Sequence, residues 1–340
     1  MVRARRASQR MAGGMLAAAI VALSNSPAGA TAPAPTIATF SIVAFDSATG
    51  DLGVAVQSKF FAVGSVVPWA KAGVGAIATQ ASGNTTYGPR GLDLLATGRS
   101  VAATLDSLLA NDPGRETRQV GIVDAKGNAI AHTGKECQNW AGHRSGRGYT
   151  VQGNILAGEA VVVAMERGYL AAPPGPLGGR LIAALEAGQE AGGDSRGMQS
   201  AALLVVRAQG GYGGFNDRYC DLRVDDHTSP IAELKRLYTL WLPNALILEG
   251  YKLADVGRTD DAVKLGEAAI AADPASAEGY YHTACYLARA GRAEPALARL
   301  AEAIARDPKI KQRATTDPDF DKVRNEARYK ELVGDVASKK

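Results

Sequence analysis

A spacing of 34 residues recurs in the last third of the chain and constrains its fold more than any other feature. Residues of one segment return as the same types 34 positions later. The pairs are Leu253/Leu287, Gly257/Gly291, Ala262/Ala296, Ala269/Ala303, Asp273/Asp307 and Pro274/Pro308. Small residues within the period let helices pack closely, and each proline ends a helix. The pattern predicts two stacked pairs of helices.

This period resembles that of tetratricopeptide repeats. The resemblance implies two complete units, over 243–276 and 277–310, followed by a degenerate capping segment. A helix over 230–241 is predicted to cap the open end of the stack, because terminal repeats need a covering element. We therefore expect an all-α tetratricopeptide repeat module over 242–340.

A β-hairpin is predicted where the preceding domain begins. Two apolar runs, Phe40–Phe45 and Leu52–Val56, flank a turn that opens with Asp46 and closes with Gly50. The hairpin starts at Thr39. A chain-terminal threonine can serve as its own nucleophile and base, because its α-amine titrates near neutral pH beside the hydroxyl.

Blocks of strands and helices follow the hairpin. The predicted strands are 74–78, 119–123, 129–132, 149–156, 200–206 and 218–224, and the predicted helices are 87–95, 100–109, 159–169 and 177–189. Strands grouped together and followed by paired helices favour two packed antiparallel sheets with helices outside. The same order argues against a parallel sheet that alternates with helices.

The N-terminus predicts export. A basic stretch over 1–10, an apolar stretch over 11–23 and small residues near the cleavage position match the parts of a secretory signal. We expect a signal peptide over 1–30, a linker or processed stub over 31–38, and a periplasmic or secreted protein. The apolar run is short for a membrane span and no later stretch is long enough, so none is expected after processing.

Charge argues against nucleic acid as a partner. The formal net charge is +4, but removing the four arginines of residues 1–30 leaves 34 basic against 34 acidic residues. A mature chain near neutrality lacks the basic surplus of a nucleic-acid-binding protein. No phosphate-binding loop or dinucleotide motif is present, so we expect no cofactor.

The three cysteines leave one question open. In an exported protein Cys137 and Cys220 could form a disulfide, but spacing alone does not show it. Cysteines packed unpaired as small apolar residues, as also expected for Cys285, are the favoured interpretation.

Several ordered motifs resemble the bacterial family labelled domain of unknown function 1028 (DUF1028). They are the hairpin, Gly83–Leu95, Trp140–Gly148, Val151–Ile155, Gly192–Ala201 and Asp217–His227. The resemblance covers about 39–240 and implies an N-terminal-nucleophile (Ntn) hydrolase fold, an α+β four-layer αββα sandwich. It also implies amide-bond hydrolysis. Many relatives begin at Met-Thr-Phe-Ser-Ile, so removal of Met alone would expose the threonine that matches Thr39, whereas here an export signal precedes it.

Thr39 is the candidate nucleophile. Its hydroxyl would attack a carbonyl while its own amine takes the proton. Cleavage after Ala30 or Ala32 would leave a stub that blocks the amine, whereas cleavage after Ala38 would free it. The alternative is that Thr39 is only the first residue of a β-strand, where threonine is common.

Residues after the second strand are further candidates. Lys59 could lower the pKa of the nucleophile if it is partly buried, with Lys71 as the other option. The alternative is a loop lysine in solvent. Gln57 and Ser58 are candidates for substrate binding, and Gln57 stands where a proteasome-like site would have Asp.

Asn154 could donate to an oxyanion, or it could be a turn residue bonded to its own backbone. Asp194, Arg196 and Ser200 precede a strand, so they line a cleft or cap a helix end.

Alternating polar residues end the domain. Asp221, Arg223 and Asp225 share one face of a strand. With Asp226 and His227 they predict an ion-pair network rather than a cation site, because no metal-ligand spacing is present. We therefore expect no metal. His143 could meet this group in space.

These observations predict two domains, a sandwich over 39–241 and the repeats over 242–340. The leading hypothesis is an exported amidohydrolase that acts on a small amide or peptide through Thr39, with the repeats docking a protein or peptide. The rival is a non-catalytic binding or assembly protein of the cell envelope that uses the helical groove. A third interpretation is that the repeats serve only self-association into a homo-oligomer.

Overall fold

The computed structural model describes residues 39–334, so the predicted signal peptide and stub lie outside the described residues. Ten strands are present in this range. They are β1 (Thr39–Phe45), β2 (Leu52–Ser58), β3 (Pro68–Lys71), β4 (Gly75–Ala81), β5 (Arg118–Asp124), β6 (Ala129–Thr133), β7 (Trp140–Gly146), β8 (Tyr149–Leu156), β9 (Ser200–Val206) and β10 (Arg218–Val224).

Ten α-helices lie in the same range. They are α1 (Tyr87–Ala96), α2 (Val101–Ala110), α3 (Glu159–Ala171), α4 (Leu177–Glu190), α5 (Pro230–Asp255), α6 (Thr259–Ala272), α7 (Ala277–Arg289), α8 (Ala293–Arg306), α9 (Ile310–Thr316) and α10 (Ala327–Val333). The mixed fold with a helical C-terminal region confirms the coarse prediction from the sequence.

The strands form two antiparallel sheets. One has six strands in the order β10-β9-β2-β1-β8-β7, and the other has four in the order β3-β4-β5-β6. The predicted hairpin is confirmed as β1 and β2, paired from Thr39 opposite Ser58 to Phe45 opposite Leu52. Its turn is closed by the Asp46 carboxylate, which accepts from the Ala48 N–H at 2.9 Å.

Alternation along β1 places its side chains in two different cores. Phe40 and Ile42 pack in the core that contains residues of α3 and α4. Val43 packs on the other face, in a core shared with Ala76 and Ala78 of β4. A strand buried on both faces is apolar nearly throughout, which explains why β1 is easily identified in the sequence.

The outer face of the four-stranded sheet has a core of its own. Ile77 and Ile122 of this sheet pack there with Leu92 of α1 and Leu105 of α2. Ser100 caps the N-terminus of α2, because its side chain accepts from the N–H of Ala103.

The helix predicted over 230–241 is longer in the structure. Helix α5 continues through Pro243 to Asp255. Proline removes one helical hydrogen bond, so the sequence favours a break there. Leu246 and Ile247, on the far side of the proline, are buried against Ala269 of α6, and this packing favours the continuous helix.

The 34-residue spacing is visible in the helical region. Helices α6 and α8 begin at Thr259 and Ala293, 34 residues apart. Gly257 and Gly291 precede them with left-handed φ angles of 79° and 74°, which glycine adopts without strain. Among the described residues, no helix combines the length and the apolar character needed to cross a bilayer.

Candidate functional site

Four buried polar side chains form a row at one end of the six-stranded sheet. Thr39 begins β1 between Ser58 of β2 and Asn154 of β8, and Ser58 also pairs with Ser200 of β9. Their positions on paired strands put the four side chains on one face of the sheet. All four residues are 0% exposed. The fold therefore gathers residues from distant parts of the chain beside Thr39.

Thr39 is held by its hydroxyl and by its carbonyl. The hydroxyl donates to the Oγ of Ser58 at 3.1 Å. The carbonyl oxygen accepts from Nε2 of Gln80, on the opposing sheet, at 3.3 Å. These two bonds fix both the side chain and the backbone at the start of β1.

A buried amide network links the two sheets behind Thr39. The amide nitrogen of Gln80 also donates to Oε1 of Gln119 at 2.8 Å, and Ser41 donates to Oε1 of Gln80 at 2.7 Å. Gln119 in turn donates to the carbonyl of Gly153 at 2.8 Å. Because these bonds satisfy buried amide groups, they make the relative position of the sheets specific.

Asn154 belongs to this network and carries an unmatched acceptor. Its Nδ2 donates to Oε1 of Gln119 at 3.1 Å. Its Oδ1 is buried and has no hydrogen-bond partner among the described residues. An unpaired buried acceptor is costly, so such an atom marks a position where a donor is expected.

The network glutamines were missed in the sequence. Gln152 lies two residues before Asn154 on β8, and its Nε2 donates to Oγ of Ser41 at 2.6 Å. Side chains two residues apart on a strand lie on the same face of the sheet. This spacing could have predicted that Ser41 shares a face with Thr39 and Gln152 with Asn154. No local signal marks Gln80 or Gln119, because they bond to each other across neighbouring strands and to Ser41, Gly153 and Asn154 of the other sheet.

The two candidate lysines do not lie in the buried row. Lys59 is exposed, and its Nζ donates to the carbonyl of Met198 at 3.2 Å. Lys71 is exposed at the end of β3. The predicted partly buried lysine beside the nucleophile is therefore not what the structure shows, because Ser58 is the last residue of β2 and Lys59 lies in the turn beyond it.

Gln57 lies on the opposite face of the sheet from Thr39. It pairs with Phe40, which is buried against helices α3 and α4. Its Nε2 is 3.5 Å from the carbonyl of Gly197, and its buried Oε1 has no partner within residues 39–334. Gln57 directly precedes Ser58 on β2, so its side chain points to the face opposite the buried row.

Asp194 and Arg196 stabilise the loop that precedes β9. Asp194 is 2% exposed and accepts from the backbone N–H of Lys59 at 3.0 Å. It also pairs with Nη2 of Arg196 at 3.0 Å. Ser200 accepts from the N–H of Val63 at 3.1 Å. These bonds position the segment that follows β2, so the two charged residues act on the site through the backbone.

Only part of the predicted ion-pair network forms on β10: Asp221 and Arg223 pair, with Arg218 as a further partner, whereas among the described residues Asp225, Asp226 and His227 make no salt bridge with them. Asp221 accepts from Arg218 and, at 2.9 Å, from Nε of Arg223. His143 does not join them, because it lies on β7, at the opposite edge of the sheet from β10. Its Nδ1 is instead 2.9 Å from the hydroxyl of Thr133, and burial lowers the pKa of its ring.

The three cysteines are free thiols. Cys220 is buried in the core beneath α3 and α4, where burial raises the pKa of its thiol. Cys285, in the helical region, lies with Asp317 and Asp319 in a group whose ligand atoms are within 4.8 Å of one another. Tyr281 donates to Asp317 at 2.5 Å and Tyr251 to Asp319 at 3.1 Å, so hydrogen bonds within the protein already engage both carboxylates.

Comparison with known proteins identifies relatives of the strand-rich part of the chain. A family model described as a family of unknown function, DUF1028, matches residues 39–234. The chain is also similar to the crystal structure of protein SPO2555 from Silicibacter pomeroyi, which carries the same family label, with 32% identity and a TM-score of 0.54. That similarity covers 59% of this chain and 88% of the other. No protein with a curated description matches the chain.

Proposed function

The chain belongs to the DUF1028 family, and from that premise we propose that it is an exported Ntn-type amidohydrolase whose nucleophile is Thr39. The proposal includes a four-layer αββα sandwich of the Ntn-hydrolase type and a tetratricopeptide repeat module. Core packing on both faces of the two sheets supports the first of these. The 34-residue spacing of α6 and α8 supports the second.

The row around Thr39 is the observation that carries the proposal. Thr39 begins the first strand of the domain, and its hydroxyl is oriented by Ser58 at 3.1 Å. Asn154 lies directly opposite Thr39, and its buried Oδ1 has no donor in the described part of the chain. An α-ammonium on a terminal Thr39 would supply such a donor at this position. The arrangement thus suits a mature chain that begins at this residue.

The chemistry needs only groups at this end of the sheet. The hydroxyl of Thr39 adds to the amide carbonyl, and its proton passes to the free α-amine. The amine then protonates the leaving nitrogen, the C–N bond breaks, and an ester on Thr39 remains. Water hydrolyses this ester to release the acid and restore the hydroxyl. Asn154 has a second N–H beyond the one bonded to Gln119, and it can stabilise the oxyanion.

A second candidate function is supported by the burial of Thr39. Thr39 is 0% exposed in the full-length chain, so substrate reaches it only if processing opens this end of the sheet. If the amine stays in a peptide bond, the chain is a binding or assembly protein of the cell envelope. Its helical region would then dock a protein partner or a second copy of the chain.

The two functions differ in whether the backbone nitrogen of Thr39 is a free amine or part of a peptide bond. The N-terminus of the mature protein distinguishes them. Intact mass and N-terminal sequencing of the exported chain should give a start at Thr39. A start at Thr31 or Pro33 would overturn the hydrolase proposal and favour the binding protein. The same experiment tests export, because a chain that keeps residues 1–30 has not been processed.

A chemical probe tests the pair of reactive groups directly. A peptide α′,β′-epoxyketone reacts with a hydroxyl and an amine on the same residue and joins them in one ring. We expect one adduct per chain, located at Thr39, in the wild type and in Thr39→Ser, and none in Thr39→Ala. A mature chain that starts at Thr39 and remains unlabelled would refute the mechanism.

A further inference from the structure

A cavity of 630 Å³ lies at the other end of the six-stranded sheet from Thr39. It is lined by the glycine-rich segment 210–213, the first residues of β10, and helix α5. Strand β9 runs from Ser200, in the Thr39 row, to Val206, which pairs with Arg218 of the cavity lining. That distance is roughly 20 Å at the rise of a β-strand. The volume falls in the range of small-molecule sites, and the cavity is separate from the proposed catalytic residues.

The interior of the cavity is aromatic and apolar. Tyr219 and Trp241 meet edge to face with ring centroids 5.1 Å apart, and both line the cavity. Leu248 and Tyr212 line it too, and they remain 58% and 87% exposed. Large apolar side chains left open to solvent around a concave surface are typical of a binding site.

Two cations at the rim are open to solvent. The side chains of Arg218 and Lys252 line the cavity and are 60% and 47% exposed. Lys252 lies 3.5 Å from Glu249 and donates to the carbonyl of Gln209 at 3.2 Å. Arg218 shares Asp221 as its counterion. Neither cation is enclosed, so each can turn towards a ligand.

The two carboxylates that line the cavity, Asp221 and Glu249, each also face an arginine that lies outside it. Asp221 accepts two hydrogen bonds from Arg223, at 2.9 and 3.3 Å. Glu249 lies 3.8 Å from Arg207, which itself binds Asp51 through two short bonds of 2.7 and 2.8 Å.

The next carboxylate along the loop is also occupied. Asp217 accepts from the backbone N–H of Gln209 at 3.0 Å and lines a different cavity. An anion that enters the cavity therefore meets two accessible cations, while Asp221 and Glu249 each also face an arginine outside the cavity.

We infer that this cavity binds a small amphipathic anion, with an aromatic or acyl body against Trp241 and Leu248 and an acidic head between Arg218 and Lys252. Arginine pairs with planar or tetrahedral acidic groups through several N–H donors, so it determines the orientation of the ligand. The apolar wall provides most of the contact area.

Two dyes that share the same aromatic body test this inference. 8-Anilinonaphthalene-1-sulfonate and N-phenyl-1-naphthylamine share an aromatic frame, and only the first carries an acidic group. Fluorescence titration of the full chain should give a single site for the sulfonate. It should bind about tenfold or more tightly than the neutral dye, as expected for one charge-assisted contact. Equal affinities, or binding at many sites, would overturn the inference.

Variants then locate the site. Arg218→Gln should reduce the preference for the sulfonate to within about threefold while leaving the neutral dye unaffected. Leu248→Asn should weaken both dyes. The matched controls are Arg236→Gln and Leu240→Asn. Arg236 is an exposed arginine of α5 paired with Glu233, and Leu240 is 60% exposed on the same helix. If the controls lose as much affinity as the test variants, the dyes bind elsewhere and the assignment is wrong.

Discussion

Thr39 and Ser58 face each other across β1 and β2, and the threonine hydroxyl donates to the serine oxygen at 3.1 Å. The contact orients the candidate nucleophile before any substrate is bound. It also ties the reactivity of one residue to the side chain of another on the neighbouring strand.

Removing this acceptor should slow the chemistry of Thr39. We expect Ser58→Ala to reduce the rate of epoxyketone labelling about tenfold, as for the loss of one positioning hydrogen bond. The free energy of unfolding should fall by about 1 kcal/mol. The control is Ser47→Ala, in the exposed hairpin turn. Labelling at the wild-type rate in Ser58→Ala would show that the hydroxyl does not depend on this bond.

Gln80 should matter to stability far more than an exposed glutamine. Gln80→Ala leaves the buried Ser41 hydroxyl and Oε1 of Gln119 without their partner on this residue. We expect a loss of about 3 kcal/mol in the free energy of unfolding, measured by urea titration. Gln199→Ala, which removes an exposed bond to Asp226, should cost less than about 0.5 kcal/mol. Similar losses in both variants would contradict the role assigned to the inter-sheet network.

Asp112 should make the protein sensitive to acid. Burial raises the pKa of its carboxyl, but hydrogen bonds from Arg118, Asn84 and Tyr87 outweigh burial and hold the pKa well below its usual range. A lowered folded-state pKa stabilises the fold fully above the unfolded-state pKa of about 3.9, and this stabilisation declines as pH falls below it.

Asp112→Asn should remove this dependence. We expect the variant to be less stable than the wild type at pH 7 by about 2 kcal/mol, with the difference shrinking as the pH falls towards about 3. Urea titrations across this pH range measure it. Asp106→Asn, at an exposed position of α2, serves as the control. A difference that grows towards acid would reverse the assigned sign.

Adjacent glycines of α4 should respond in opposite ways to the same substitution. A Cβ at Gly178 would lie 2.7 Å from the ring of Tyr238, whereas a Cβ at Gly179 would lie at an ordinary 3.6 Å. We expect Gly178→Ala to destabilise the fold by about 1–3 kcal/mol through overpacking. Gly179→Ala should stabilise it by about 0.5 kcal/mol through helix propensity. Thermal unfolding of the two variants checks this, and equal shifts would show that Tyr238 yields without cost.

Local patterns in the sequence predicted most of the fold because they coincide with burial. β1 and β2 are apolar on both faces, and Ser100 caps α2 as its position indicates. Strands β3 and β7 were missed because β3 has only four residues and β7 is mostly glycine and polar residues, so neither contains a long apolar run. Their pairing with β4 and β8 comes from backbone hydrogen bonds that side chains do not reveal.

The candidate site was only partly predictable. The type and position of Thr39 are visible in the sequence, and Asn154 was identified as a candidate amide. That the two lie opposite each other follows from strand order, which no local pattern encodes. Gln57 and Ser58 differ by one residue, yet pairing puts them on opposite faces of the sheet. The roles assigned to these residues remain predictions.

Helix α5 joins two cores that the sequence assigned to separate domains. Its first half contributes Ile231, Leu234 and Tyr238 to the core under the six-stranded sheet, and its second half contributes Leu246 and Ile247 to the packing against α6. A single helix is thus packed in both halves of the described chain. Because both cores share α5, unfolding of either core would expose apolar side chains of the other. We therefore expect heat to unfold the protein in one cooperative step, and a protease cut within α5 to destabilise both halves.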